Sequence, residues 1–348
     1  MKTNKIIAVS AAALVLTSVC TSCGKKDDKD PSSKSSVKDS SSEVTSATEE
    51  KTTGSDSADI NDYIDEETPQ PALWKVTDPD SGSELYMMGT IHIISENTFP
   101  LPDYIMDVYN NCDGVAVEYD ISSLQSDFTQ YQDYLMQMVY MDGTTIKDHI
   151  SAETYEKASD ALSQFTSMAS AFDAYMPGMW LSLIESYSLM SIDNMSADGV
   201  DSQFISLAQQ DGKEVVSIET LETQTNALTG LSDELADYML AEAVDDAADP
   251  ESLAQAFAHQ YNAWASGDVD ALAEESEEDE LPDELLDDYA DYMDIMLYDR
   301  NEGMAQKASE YLKNGDNYFF MVGSMHFAGD RGVDDLLEDM GYTVEKIK

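Results

Sequence analysis

Two rhythms of apolar and polar residues alternate along this chain, and they assign most of it to secondary structure. Short, nearly continuous apolar runs stand at 73–76, 85–88, 115–117, 215–218, 318–322 and 343–347. Runs of this kind predict strands covered on both faces, as in a mainly parallel sheet. Asp78-Pro79-Asp80-Ser81-Gly82 is rich in turn formers and predicts a hairpin between the first two runs. Between the remaining strands, apolar residues recur every three or four positions at 124–141, 152–168, 179–190, 233–244, 253–264 and 289–312, which is helical spacing. A short helix over 333–340 precedes the last strand. The pattern predicts an α/β (α+β) fold: a central mixed, largely parallel sheet with an extensive helical layer inserted mid-chain.

The predicted strands end in residues capable of chemistry. The run at 85–88 leads into Gly89-Thr90-Ile91-His92, and the run at 318–322 into Gly323-Ser324-Met325-His326. The strand at 115–117 is followed by Glu118 and that at 215–218 by Glu219. Glycine at a strand end permits a bend or a close backbone approach. Open α/β sheets build their sites at the carboxyl ends of strands. Only four histidines occur in the chain, so two in matching Gly-x-x-His settings form a pair worth following.

The N-terminus lies outside this pattern. Lys2 and Lys5 precede an apolar stretch, 6–16, too short to span a bilayer, which is the layout of an export signal. Ser22-Cys23-Gly24 then reads as a lipobox, with Cys23 as the lipidated first residue of the mature chain. Residues 1–22 are thus expected to be a lipoprotein signal peptide. Residues 23–69 are expected to be a disordered acidic tether of Ser, Lys and Asp, and 70–348 a folded domain. A flexible tether of roughly 45 residues spans about 35–40 Å, enough to hold a domain clear of a membrane or thin wall layer. The expected location is the outer face of the cell membrane, on a Gram-positive cell surface, held by the lipid.

Charge narrows the partners. A formal net charge of −52 excludes nucleic acid as a natural ligand and opposes adhesion to anionic lipid. Cys112 is the only cysteine in the expected domain and reads as a packing residue. The acidic run 274–291 lacks the ligand spacing of a calcium loop and reads as a solvated face. His149 and His259 are expected to titrate in solvent, and the methionines Met136, Met138 and Met141 to belong to the core.

Two histidines and one or two glutamates at strand ends form a ligand set for a transition metal ion. His92, His326 and Glu118 are the candidate ligands, with Glu219 as a further ligand or base. Arg300 is placed to steady a substrate carbonyl or carboxylate. Three protein ligands leave a position for a water of lowered pKa, and a nearby carboxylate accepts its proton.

These residues also resemble a known family. Leu73-Trp74-Lys75-Val76, Met88-Gly89-Thr90-Ile91-His92, Val117-Glu118, Gly199-Val200-Asp201 and Ile218-Glu219-Thr220-Leu221-Glu222-Thr223-Gln224 are similar, in order, to segments of the TraB/GumN family. So are Ala263-Trp264 with Gly267-Asp268, Arg300-Asn301, and Val322-Gly323-Ser324-Met325-His326-Phe327 with Gly329, Gly332 and Val333. The family includes Tiki-type metalloproteases and pheromone-shutdown proteins. The resemblance implies an erythromycin-esterase-like fold and metal-dependent peptidase activity with manganese or cobalt favoured, while the donor set itself also suits zinc. It carries the family's metal site onto His92, His326 and Glu118. Ser324 stands where many relatives have alanine. The expected function is hydrolysis of a peptide or protein substrate. The alternatives are a surface lipoprotein that sequesters a peptide signal uncut, and a metal-dependent esterase.

Overall fold

A computed structural model describes residues 57–65, 68–167, 169–273 and 281–348. The export signal, Cys23, most of the tether and the first part of the acidic run lie outside these residues.

Eight strands occur in chain order: β1 (Leu73–Thr77), β2 (Glu84–Thr90), β3 (Ile94–Ser95), β4 (Gly114–Val117), β5 (Met195–Ser196), β6 (Glu214–Ser217), β7 (Tyr318–Gly323) and β8 (Thr343–Lys346). Six form the main sheet in the order β6-β4-β7-β2-β1-β8, while β3 and β5 make a two-stranded ribbon. β6, β4, β7 and β2 are parallel, whereas β1 runs antiparallel to both β2 and β8. The predicted hairpin, the mixed sheet and its parallel centre are therefore present.

Alternation along the strands supplies two apolar layers. Phe319 and Met321 of β7, Val115 and Val117 of β4 and Met88 of β2 face one side, against the helices Asp103–Asn111, Val200–Asp211 and Pro250–Ser266. Phe320 and Val322, Ala116, Leu85 and Met87 face the other, against Asp299–Asn314 and Val333–Asp339. Both faces are covered, which explains why these strands lack polar positions. A third apolar cluster contains no strand residue. It is built by helices Phe128–Gln137, Ala152–Phe165, Pro177–Met190 and Asp233–Ala247, with Tyr119 and Leu221 packed against it from just beyond β4 and β6. The helical layer thus adjoins the carboxyl end of the sheet.

Four expectations need correction. The tether does not extend to residue 69: Ile60 is fully buried in the core, and its N–H donates to the Asp193 carbonyl at 3.2 Å. Tyr63 and Ile64 pack against the same core beside it, so a few apolar side chains in a polar stretch dock the segment. The pattern at 124–141 is not one helix. Asp127 breaks it by accepting from the N–H groups of Thr129 and Gln130, starting a second helix after Ile121–Ser126. Of the three methionines assigned to the core only Met138 is buried, because Met136 lies on the outward side of its helix and Met141 in the exposed bend after it. His149 is not free in solvent: Nδ1 lies 3.0 Å from Asp233 Oδ1, Nε2 lies 2.9 Å from Thr144 Oγ1, and the ring stacks on Tyr140.

Asp334, in the first turn of Val333–Asp339, has a buried Oδ1 without a hydrogen-bond partner. Burial raises its pKa from 3.8 to about 6. A folded-state pKa above the unfolded one means stability is fullest below about pH 3.8 and declines as pH rises through about 6. Asp334→Asn should therefore stabilise the chain by about 1–2 kcal/mol at pH 7.5 and by much less at pH 4, discounting for partial exposure. Chemical denaturation at the two pH values measures the difference.

Candidate active site at the sheet edge

Strand order explains how distant residues meet. The neighbours β6, β4, β7 and β2 end at Ser217, Val117, Gly323 and Thr90, with Glu219, Glu118, His326 and His92 one to three residues beyond. Past β4 and β6 the backbone pairing continues, with Glu219 N–H donating to the Glu118 carbonyl at 2.9 Å, so the two glutamates are adjacent. The chain then turns into helix Leu221–Thr229, whose first turn is capped by Thr220 accepting from Thr223 N–H. After β7 a short 3-10 helix, Ser324–Phe327, presents His326. Gly89 makes room for it, since a Cβ there would lie 2.9 Å from Ser324 Cα.

All five candidate catalytic or metal-binding residues of this domain are brought together. Glu118 Oε1 accepts from Gly323 N–H at 2.6 Å and lies 3.7 Å from His326 Nε2. Its Oε2 accepts from Arg300 Nη2 at 2.5 Å and from Gln224 Nε2 at 3.3 Å. Arg300 also donates from Nε to Glu219 Oε1 at 2.9 Å and from Nη2 to Oε2 at 3.0 Å. A π-helical turn, Asp294–Tyr298, leads into the helix carrying Arg300, and Arg300 Nη1 donates back to Met296 O at 2.9 Å.

Neighbouring groups fix both imidazoles. Asn301 Nδ2 donates to the Arg331 carbonyl at 2.8 Å, so its Oδ1 must face His326 Nδ1, 2.5 Å away. An amide oxygen can only accept, hence Nδ1 carries the proton and the Nε2 lone pair faces Glu118. His92 Nδ1 lies 3.2 Å from Asp201 Oδ1, which likewise holds the proton on Nδ1. Asp201 sits in the first turn of Val200–Asp211, whose Val200 N–H donates to Ile91 O at 2.9 Å. Gly199 permits that approach, because a Cβ there would lie 2.3 Å from the His92 carbonyl oxygen. Gly199→Ala should cost about 1–3 kcal/mol by overpacking and shift His92. Thermal denaturation and a metal titration of the same variant would register both effects.

Electrostatics separates the groups. Burial works to raise the Glu118 pKa, but the Arg300 guanidinium, then His326, His92 and the Gly323 amide, hold it well below the carboxylate range. Glu219 shares the same arginine yet is pushed up, by burial first and by the Glu118 charge, against the pull of Arg300. The difference in direction follows geometry: Glu118 accepts from the Gly323 amide and Glu219 does not. Burial and Arg300 push His326 down to about 3, leaving it neutral. For His92, burial is outweighed by Asp201 and Glu118, and the pKa rises.

The donors suit a divalent ion in type. A Cβ on Gly323 would sit 3.1 Å from Glu118 Oε1, 3.6 Å from His326 Cδ2 and 3.7 Å from His92 Nε2, so glycine keeps the space between the glutamate and the two imidazole rings clear of a side chain. Imidazoles whose second nitrogen is held by a carboxylate or amide oxygen follow the usual support of metal-binding histidines. Glu118, Glu219 and Asp201 supply three carboxylates against the single guanidinium of Arg300. Spacing is wider than ligation requires: among the described residues no group of three His, Cys, Asp or Glu side chains is close enough to hold an ion as it stands. The donor set fits, and its members would have to draw inward by side-chain movement.

Strand-end reasoning assigned no role to Asp201, Asn301 or Gln224, although each stood in a motif. For Asn301 and Gln224 the available signal was a polar side chain beside Arg300 and after Glu219; nothing in the sequence joined Asp201 to His92.

An α/β sheet whose parallel strand ends gather two histidines, two glutamates and an arginine defines the class of protein. The chain belongs to the TraB/PrgY/gumN family, whose sequence model matches residues 72–346. No curated protein and no solved structure matches it.

Proposed function

We propose that this chain is a lipid-anchored, extracytoplasmic, metal-dependent hydrolase that cleaves peptides. The observation that carries the reading is that His326 Nε2 lies 3.7 Å from Glu118 Oε1 and that His92 Nε2 borders the same side of Gly323 as Glu118 Oε1. Acceptors facing one another in a buried space repel unless a cation lies among them. These three atoms would hold a manganese, cobalt or zinc ion. Such an ion, when bound, lowers the pKa of a ligated water and polarises a substrate carbonyl.

The chain's own residues account for the remainder. Asp201 and Asn301 keep the Nδ1 protons in place, so that both Nε2 lone pairs point inward. Arg300 fixes Glu118 Oε2 and both oxygens of Glu219, and its charge favours an oxyanion nearby. Glu219, bonded to Arg300 and Gln224, is the group that accepts and returns a proton. The anchor on Cys23 would keep this chemistry at the membrane surface.

Incubating metal-supplemented protein with a defined peptide pool and reading the products by mass spectrometry tests the reading. New termini are expected with the wild type and not with His92→Ala. A second reading, capture of a peptide signal without cleavage, draws on the engagement of both glutamates by Arg300, which leaves neither idle. That reading predicts every peptide returned intact.

A further inference from the structure

Three of the eight large apolar side chains left exposed among the described residues fall within a stretch of fourteen: Phe128 at 71%, Met136 at 50% and Met141 at 75%. Phe128 and Met136, eight residues apart on helix Phe128–Gln137 and so about 80° apart around its axis, both lie on its outward side, while Leu135 packs against the helical core. Tyr134 and Met138 fill the opposite, buried face. Scattered exposed methionines are ordinary, but an aligned cluster marks a contact surface.

Charge around that surface has one sign. Asp127, Asp133 and Asp142 are exposed beside it, and Glu222 is exposed on the neighbouring helix Leu221–Thr229. No Lys or Arg occurs between Lys75 and Lys147, or between Lys213 and the buried Arg300. The first 56 residues hold eight acidic and eight basic side chains, so the whole excess of −52 belongs to residues 57–348. The helix is also joined to the site. Thr225 Oγ1 donates to Gln137 Oε1 at 2.8 Å, and Gln224, one residue earlier, bonds both site glutamates.

We propose that the outward side of helix Phe128–Gln137, carrying Phe128 and Met136 and followed in the chain by the exposed Met141, docks a cationic amphipathic peptide beside the strand-end site. The apolar side of the peptide covers the stripe, and its lysines or arginines meet the flanking carboxylates. Anionic lipid would be repelled by the same charge, which is why a peptide is the occupant chosen. Long-range attraction speeds the encounter and fades with salt, while the apolar contact slows release. The proposal deepens the peptidase reading by naming its substrate class, yet docking itself needs neither metal nor cleavage.

Fluorescence anisotropy of a labelled Lys/Leu amphipathic peptide, titrated with full-length protein, provides the test. Phe128→Ser/Met136→Ser/Met141→Ser should weaken binding at least tenfold with unchanged thermal stability, whereas His326→Ala should bind as the wild type does. Raising salt from 50 to 300 mM should also weaken binding about tenfold or more. Equal affinity of the triple variant, or equal binding of a Glu/Leu peptide, would overturn the proposal. So would a wild-type dimer by light scattering that the triple variant dissociates without losing peptide affinity, which would make the stripe a self-interface. If the His326→Ala protein binds but does not cleave, docking stands apart from the chemistry. If peptides are bound and never cut even by the metal-loaded wild type, the peptidase reading fails and docking survives.

Discussion

His326→Ala is expected to lower metal-supported peptide cleavage at least about a thousandfold. The reasoning starts from Asn301, whose amide is oriented by the Arg331 carbonyl and so holds the His326 proton on Nδ1. The Nε2 lone pair can then serve only inward, toward Glu118. Alanine removes that donor and leaves Asn301 Oδ1 buried without its partner, costing about 1–3 kcal/mol of stability. Chain that stays folded by circular dichroism while cleavage disappears is the expected outcome. Retained cleavage would remove His326 from the chemistry.

Arg300→Met should produce the largest loss of stability, about 3–5 kcal/mol near neutral pH. Its guanidinium is buried and pairs with two buried glutamates, and methionine would replace its bulk without its charge. Two carboxylates would then share a low-dielectric space, and both pKa values would rise above their unfolded values. Raised folded pKa values mean that stability recovers as pH falls, so the deficit should shrink between pH 7.5 and pH 5. Urea denaturation at both pH values checks the loss and its direction. A deficit below about 1 kcal/mol, or one independent of pH, would show that the arginine does not hold the glutamates in place.

Strand ends were legible because buried parallel strands are apolar on both faces and the first polar residue stands out. That logic located Glu118, Glu219 and the two Gly-x-x-His segments, and β4 and β7 are buried along nearly their whole length. Their mutual proximity was a separate matter. It depends on the order β6-β4-β7-β2, in which β7, more than a hundred residues after β6 in sequence, inserts between β4 and β2. Crossovers through helices set that order, and no local pattern encodes it. Asp201 was unreadable as a partner of His92 because it acts from a helix start packed on the Ile91 carbonyl across a sequence gap of 109 residues. Asn301 hides similarly: adjacent residues on a helix point about 100° apart, yet both Arg300 and Asn301 reach the site after the π-helical turn. At the surface, periodicity overstated the core. Met136 continues the spacing of a helix but lies on its exposed side, since the ten-residue helix Phe128–Gln137 buries only one stripe.

Metal stoichiometry of the purified, folded protein tests the central claim most directly. Elemental analysis after incubation with manganese, cobalt or zinc and desalting should give about one ion per chain for the wild type. Loss of that ion in His92→Ala, His326→Ala and Glu118→Gln alike is the result expected of a shared two-histidine, one-glutamate site. A wild type that stays folded and retains no ion, or variants that keep the full complement, would contradict it.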